Sequence, residues 1–219
     1  MEGERMKKID IDLLQKMLEP QSSDQIMLES FESLKPTKKE IKKFLFICLV
    51  ALIPALLIGY SEDTIDLFEN SVEKINAILL AIFGIVFTGY VFFQALVNDD
   101  LLIRMLNSKT EKNGKDKSKL QETNEEFVNL MMLCLFFILL NLFLSLCLGA
   151  VPNDFVCFER RIYNNALAIL LLNLYFFFAF YIMWEIKSFI FNIFQLFKMH
   201  AGTRVMEIIE KEKDEEPNN

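Results

Sequence analysis

The chain has 219 residues, 53% of them hydrophobic, and its 23 Lys and Arg against 30 Asp and Glu give a formal net charge of −7. That acidic balance argues against nucleic acid as a partner, and none is expected. The hydrophobicity is gathered in blocks that are apolar all round, such as LCLFFILL at 133–140 and AILLLNLYFFFAFY at 168–181, whereas a soluble surface helix keeps one wet face.

The first 36 residues form a polar segment with two short amphipathic pieces. Ile9, Leu13, Leu14 and Met17 share one helical face ended by Pro20; Met27, Leu28, Phe31 and Leu34 share another after a Ser22/Ser23 cap. Helices this short do not hold alone in water. They are expected to pack within an oligomer or lie on the membrane rather than serve a dedicated partner. No cleavable signal peptide is read here, because a long charged and polar stretch precedes the first apolar run.

Four apolar stretches follow in a domain spanning 37–190, at roughly Phe44–Tyr60, Asn76–Val97, Phe127–Val151 and Asn165–Trp184. A helix crosses the hydrocarbon core with about 20 mostly apolar residues. The first stretch is short, but Ile41 and the stems of Lys42 and Lys43 extend it. Pro54 lies inside it, a candidate hinge, because proline removes a backbone donor and kinks a helix. The second span carries Gly84, Thr88 and Gly89. Gly84 and Thr88 make a small-xxx-small pair expected to let another helix approach closely.

Between the second and third spans, 98–126 reads as a cytoplasmic loop. Asp99–Asn107 continues the second helix, Lys109–Lys119 is a flexible polar loop, and Thr123-Asn-Glu-Glu126 is a capping box opening the third span. A similar box, Thr37-Lys-Lys-Glu40, opens the first. In the third and fourth spans Asn141, Ser145 and Asn173 form a polar seam near mid-membrane. An unpartnered amide is costly in hydrocarbon, so Asn141 and Asn173 are expected to bond to each other across the helix interface, the alternative being a polar ring that lines a pore or ion site in an oligomer. The fourth helix continues past Trp184 as an amphipathic stretch with Gly202 as its stop, so that 191–219 is a cytoplasmic amphipathic helix and acidic tail.

Basic flanks alternate with basic-poor ones. Lys35, Lys38, Lys39, Lys42 and Lys43 precede the first span, and six cations occupy the central connector, whereas Lys74 is the only cation of the first outer connector. This pattern places both termini and the central connector in the cytoplasm. Cys48, Cys134 and Cys147 fall within spans, and Cys157 falls in an outer loop as an unpaired thiol. With a single histidine, His200, and no nucleophile–base, zinc or phosphate-loop spacing, no catalytic residue, cofactor or metal site is expected, and the chain does not read as an enzyme. No acid or base stands in the middle of a span, which counts against a secondary transporter.

The expected fold is therefore all-α: a polytopic protein with four transmembrane helices, short amphipathic N-terminal helices and an extended C-terminal one. The expected function is a homo-oligomeric, channel-like or membrane-perturbing effector or sensor in a bacterial inner membrane. By analogy of architecture it suits stress or antiviral defence systems. The alternative is a membrane anchor or sensor subunit that docks a soluble cytoplasmic partner.

Overall fold

The computed structural model describes residues 15, 20, 22–34, 40–112, 115–152 and 155–215. The face formed by Ile9, Leu13, Leu14 and Met17 and the Thr37 cap lie outside them. The described elements are α1 (Ser23–Ser33), α2 (Ile41–Gly59), α3 (Thr64–Leu96), α4 (Asp99–Asn107), a hairpin of β1 (Lys109–Lys112) and β2 (Lys115–Ser118), α5 (Lys119–Leu148) and α6 (Arg161–Glu215). Four of the helices (α2, α3, α5 and α6) are long and apolar enough to cross a membrane. At about 1.5 Å per residue, α6 alone is about 80 Å long.

The bundle is two antiparallel pairs packed together. The ion pair of Lys43 with Glu185 at one end and the close approach of Gly59 to Ile169 at the other hold α2 against α6. The pair α3–α5 is set by Tyr90 and Asn124 at one end and by Gly149 and Glu69 at the other. We call the first end, where the terminal elements and α4 lie, the terminal end, and the other the loop end. Aromatic rings fill the junction between pairs: Phe127 stacks on Phe93 at 5.5 Å and meets Phe189 edge-on at 5.2 Å. Large side chains on the outward faces remain exposed, among them Leu57 at 72% and Leu146 at 70%. Around a lipid-facing bundle such exposure carries no penalty, because hydrocarbon is as apolar as leucine.

Several boundaries differ from the sequence reading, each for a local reason. The second long helix begins at Thr64, so much of the acidic connector before Asn76 is helical. It also ends at Leu96. Asn98, in extended backbone, accepts from the Leu101 amide at 2.9 Å and starts α4 as a separate helix rather than a continuation. Lys109–Lys112 and Lys115–Ser118 pair as antiparallel strands, so these residues are not the flexible loop expected from their polarity.

The Thr123 capping box is not used. Ser118 caps α5 one turn earlier by accepting from the Gln121 amide at 3.1 Å, and Thr123 is buried inside the helix. Gly202 does not stop α6, which runs on to Glu215. On α1, Ser30 is buried and Phe31 meets Phe136 of α5 at 4.8 Å, while Leu28 faces outward at 65% exposure. So α1 packs on its own chain, with Leu28 off the packed face.

Candidate polar layer in the bundle

Polar side chains inside the bundle fall into two groups. At the terminal end they are paired across helices. Lys43 Nζ donates to Glu185 at 2.6 Å and lies 4.8 Å from the centre of the Tyr181 ring. The Tyr90 hydroxyl donates to Asn124 at 2.9 Å, Ser30 donates to Asn129 at 2.9 Å, and Asn192 donates to the Glu126 carboxylate. These bonds tie α1 to α5, α2 to α6, α3 to α5 and α5 to α6.

Nearer the loop end sit the amides of the predicted seam. Asn141 is 1% exposed, and its Oδ1 accepts from the Tyr175 hydroxyl at 3.0 Å. The Tyr175 ring is held by Phe137 at 5.4 Å and by Phe68, edge-on, at 5.1 Å. Asn173 is not Asn141's partner: its Nδ2 faces Cys48 Sγ at 3.8 Å, a weak contact. The expected Asn–Asn bond is therefore replaced by Asn141–Tyr175. The physical reason is helix phase. Residues 173 and 175 point about 200° apart on one helix, so only one of them turns toward α5.

Among the described residues, three buried amide atoms in the spans have no hydrogen-bond partner: Asn141 Nδ2, Asn173 Oδ1 and Asn76 Oδ1. Asn76 joins this set because α3 starts at Thr64, which carries Asn76 three turns into the helix, whereas the hydropathy pattern alone marks it as the start of a span. Ser145 lies one turn beyond Asn141 on α5 and is partly exposed.

Asn173 also lines a groove of about 380 Å³ between α2 and α6, with Leu52, Tyr60, Asn165, Ile169 and Leu170. Asn165, Ile169 and Asn173 are spaced four apart, so one face of α6 forms a wall of this groove. Pro54, half-buried, lies inside α2 two residues from Leu52 and leaves the Val50 carbonyl without its usual helical donor.

The glycines divide differently from the sequence reading. A Cβ on Gly84 would meet nothing within 4 Å, and Thr88, exposed, donates to the Gly84 carbonyl at 2.8 Å. This pair faces away from its own bundle. Gly89 does the internal packing: a Cβ there would stand 2.6 Å from Phe189 and 2.7 Å from Ile193. Gly59, not singled out from sequence, is equally tight, at 2.5 Å from the Ile169 side chain. Only the pairing of α2 with α6 exposes that requirement.

Elsewhere, Asn164 organises the loop before α6. Its Oδ1 accepts from the amides of Cys157 and Phe158, and its Nδ2 donates to the Phe158 carbonyl at 2.7 Å. Among the described residues, no group of three or more His, Cys, Asp or Glu is placed to hold a metal ion. Comparison with protein-family models, with curated proteins and with solved structures finds no match.

Proposed function

We propose that this chain is a multi-pass membrane protein that works as a homo-oligomer, a channel-like or membrane-perturbing effector or sensor with no chemistry of its own. Its setting in this reading is a bacterial inner membrane with both termini cytoplasmic, in the style of small stress or antiviral defence effectors. The observation that carries it is the contrast between a sealed protomer and an unfinished surface. Asn141 is closed off by Tyr175, Phe137 and Phe68, and the buried residues around it belong mostly to one aliphatic and aromatic cluster, which supports a closed rather than a conducting single copy among the described residues. Conduction or perturbation then arises between copies, at surfaces such as Gly84/Thr88 and the Asn173 groove.

A second reading, an anchor for a soluble cytoplasmic protein, is favoured by one feature. Beyond Trp184 the single helix α6 still exposes Phe191, Phe194, Phe197, Val205, Ile208 and Ile209. Apolar side chains in an aqueous compartment call for cover.

Purified chain reconstituted into vesicles tests the choice. Leakage of a small dye, with native mass showing more than one copy, supports the effector. A monomer that leaves vesicles tight, yet retains a soluble protein on its cytoplasmic face, favours the anchor. Orientation is checked separately: a membrane-impermeant thiol reagent should reach Cys157 from outside, and a reporter active only outside the cytoplasm should be silent when fused after Asn107 or Asn219.

A further inference from the structure

The loop between α5 and α6 exposes large apolar side chains while its backbone is closed on itself. Phe155, Val156 and Phe158 are 59%, 65% and 48% exposed. The amides of Cys157 and Phe158 donate to Asn164 Oδ1, Asn164 Nδ2 donates to the Phe158 carbonyl, and the Phe155 amide donates to the Pro152 carbonyl at 3.0 Å. In water such closure gains a loop little, because water meets the same groups. Where water is scarce, an unpaired backbone group is costly.

The loop is folded against the outward face of α6. Phe158 meets Tyr163 edge-on at 6.3 Å. By helix phase, Tyr163 and Asn164 fall with Leu170, Leu171, Leu174 and Phe178 inside an arc of about 120°, and those last four are exposed. In a spanning bundle, that is the face α6 turns to lipid.

Its height is that of a headgroup layer. The partly solvated Lys43–Glu185 pair marks one water boundary. A hydrocarbon core of about 30 Å takes about 20 helical residues, which carries the other boundary to the neighbourhood of Asn165. The outward-facing Leu57 and Leu146 reach nearly as far, since the contacts of Gly59 with Ile169 and of Asn141 with Tyr175 set them level with Leu171 and Leu170. Tyr163, Asn164 and the loop bound to them therefore stand just beyond the hydrocarbon, where amphipathic aromatic rings are enriched. Glu159, Arg160 and Arg161 are all exposed, with Arg161 beside Glu62, and lie in the hydrated part of that layer. Cys157 there stays within reach of an impermeant thiol reagent.

We propose that residues 155–163 are an interfacial anchor. Phe155, Val156 and Phe158 insert into the headgroup–acyl boundary of the leaflet at the loop end, and Asn164 holds the loop against α6. What covers this apolar surface is lipid, continuous with the lipid around α6. The inference needs the bundle to cross a bilayer, and needs neither an oligomer nor an effector.

Tryptophan fluorescence of the full chain in phosphatidylcholine vesicles provides the test. Trp184→Phe removes the only native tryptophan, and Phe155→Trp or Val156→Trp then reports from the loop. Lipids brominated near the carbonyl end of the acyl chain should quench each reporter roughly twofold more strongly than lipids brominated near the methyl end, as for a side chain about 5–10 Å into the boundary. Aqueous iodide should quench weakly. Strong iodide quenching with red-shifted emission puts the loop in water and overturns the anchor. Insensitivity to both iodide and bromine means that protein, such as a second copy, covers the loop, and overturns it equally. Asn164→Ala frees the loop amides and should raise iodide quenching several-fold; an unchanged pattern removes Asn164 from the anchor. Leu174→Trp in the same background separates the levels. If bromines near the methyl end quench it, a failure at the loop refutes only this anchor, whereas no quenching by any brominated lipid refutes the spanning reading beneath it.

Discussion

The two ends of the bundle solve the same problem differently. At the terminal end, Lys43, Tyr90, Asn124, Glu126, Asn129, Glu185 and Asn192 find partners on neighbouring helices of the same chain. Toward the loop end, Asn76, Asn141 and Asn173 each keep one amide atom unpaired. Among the described residues the terminal end therefore pairs most of its polar groups, His200 Nδ1 on the extension of α6 being buried without a partner, whereas the layer toward the loop end leaves three amide atoms unpaired. Since buried polar groups in folded proteins are nearly always hydrogen-bonded, the incomplete layer is where a partner is to be sought.

Four substitutions probe that contrast, taken from the largest expected effect to the smallest. Gly89→Leu forces a side chain into Phe189 and Ile193 and should destabilise the α3–α6 contact by about 1–3 kcal/mol or more. Denaturant unfolding in mild detergent measures it, and near-wild-type stability would mean that the helices are not packed this closely.

Tyr175→Phe removes the one donor to Asn141 and leaves a wholly unpaired buried amide, with an expected cost of about 1–3 kcal/mol. Adding Asn141→Leu should recover most of that loss, because removing both partners avoids the orphan. If the double variant is as unstable as the sum of the singles, the Asn141–Tyr175 bond is not the organising contact.

At the terminal end, Lys43→Met breaks the ion pair with Glu185. Both side chains are partly solvated, at 21% and 27% exposed, so the loss should be no more than about 1 kcal/mol and should shrink in high salt. A larger, salt-insensitive loss would instead assign Lys43 to packing against Tyr181.

Gly84→Leu meets open space and should change the stability of the isolated chain by less than about 0.5 kcal/mol. A strong effect on stability would place Gly84 inside the fold rather than on its surface.

Much of the architecture is legible without coordinates. Runs such as 133–140 and 168–181 are apolar on every side, and in water no packing arrangement satisfies them. Four helices able to cross a bilayer follow from length and hydropathy, which are properties of the covalent chain. Local capping chemistry was legible too, though misassigned. Ser118-Lys-Leu-Gln121 carries a cap signal as good as Thr123-Asn-Glu-Glu126, and Asn98 ahead of two aspartates marks a helix start rather than a continuation.

What only the tertiary structure decided is who faces whom. The sequence presents Asn141 and Asn173 as equal amides at similar depth, and Gly84 and Gly89 as neighbours in one seam. The rotation of each helix about its axis then gives Asn141 to Tyr175, turns Asn173 into a groove, sends Gly84 outward and presses Gly89 against Phe189. In a span that is apolar all round, no hydrophobic stripe records which face is inside. That choice is made by close packing and by the few polar bonds between helices, both of which exist only once the helices have met.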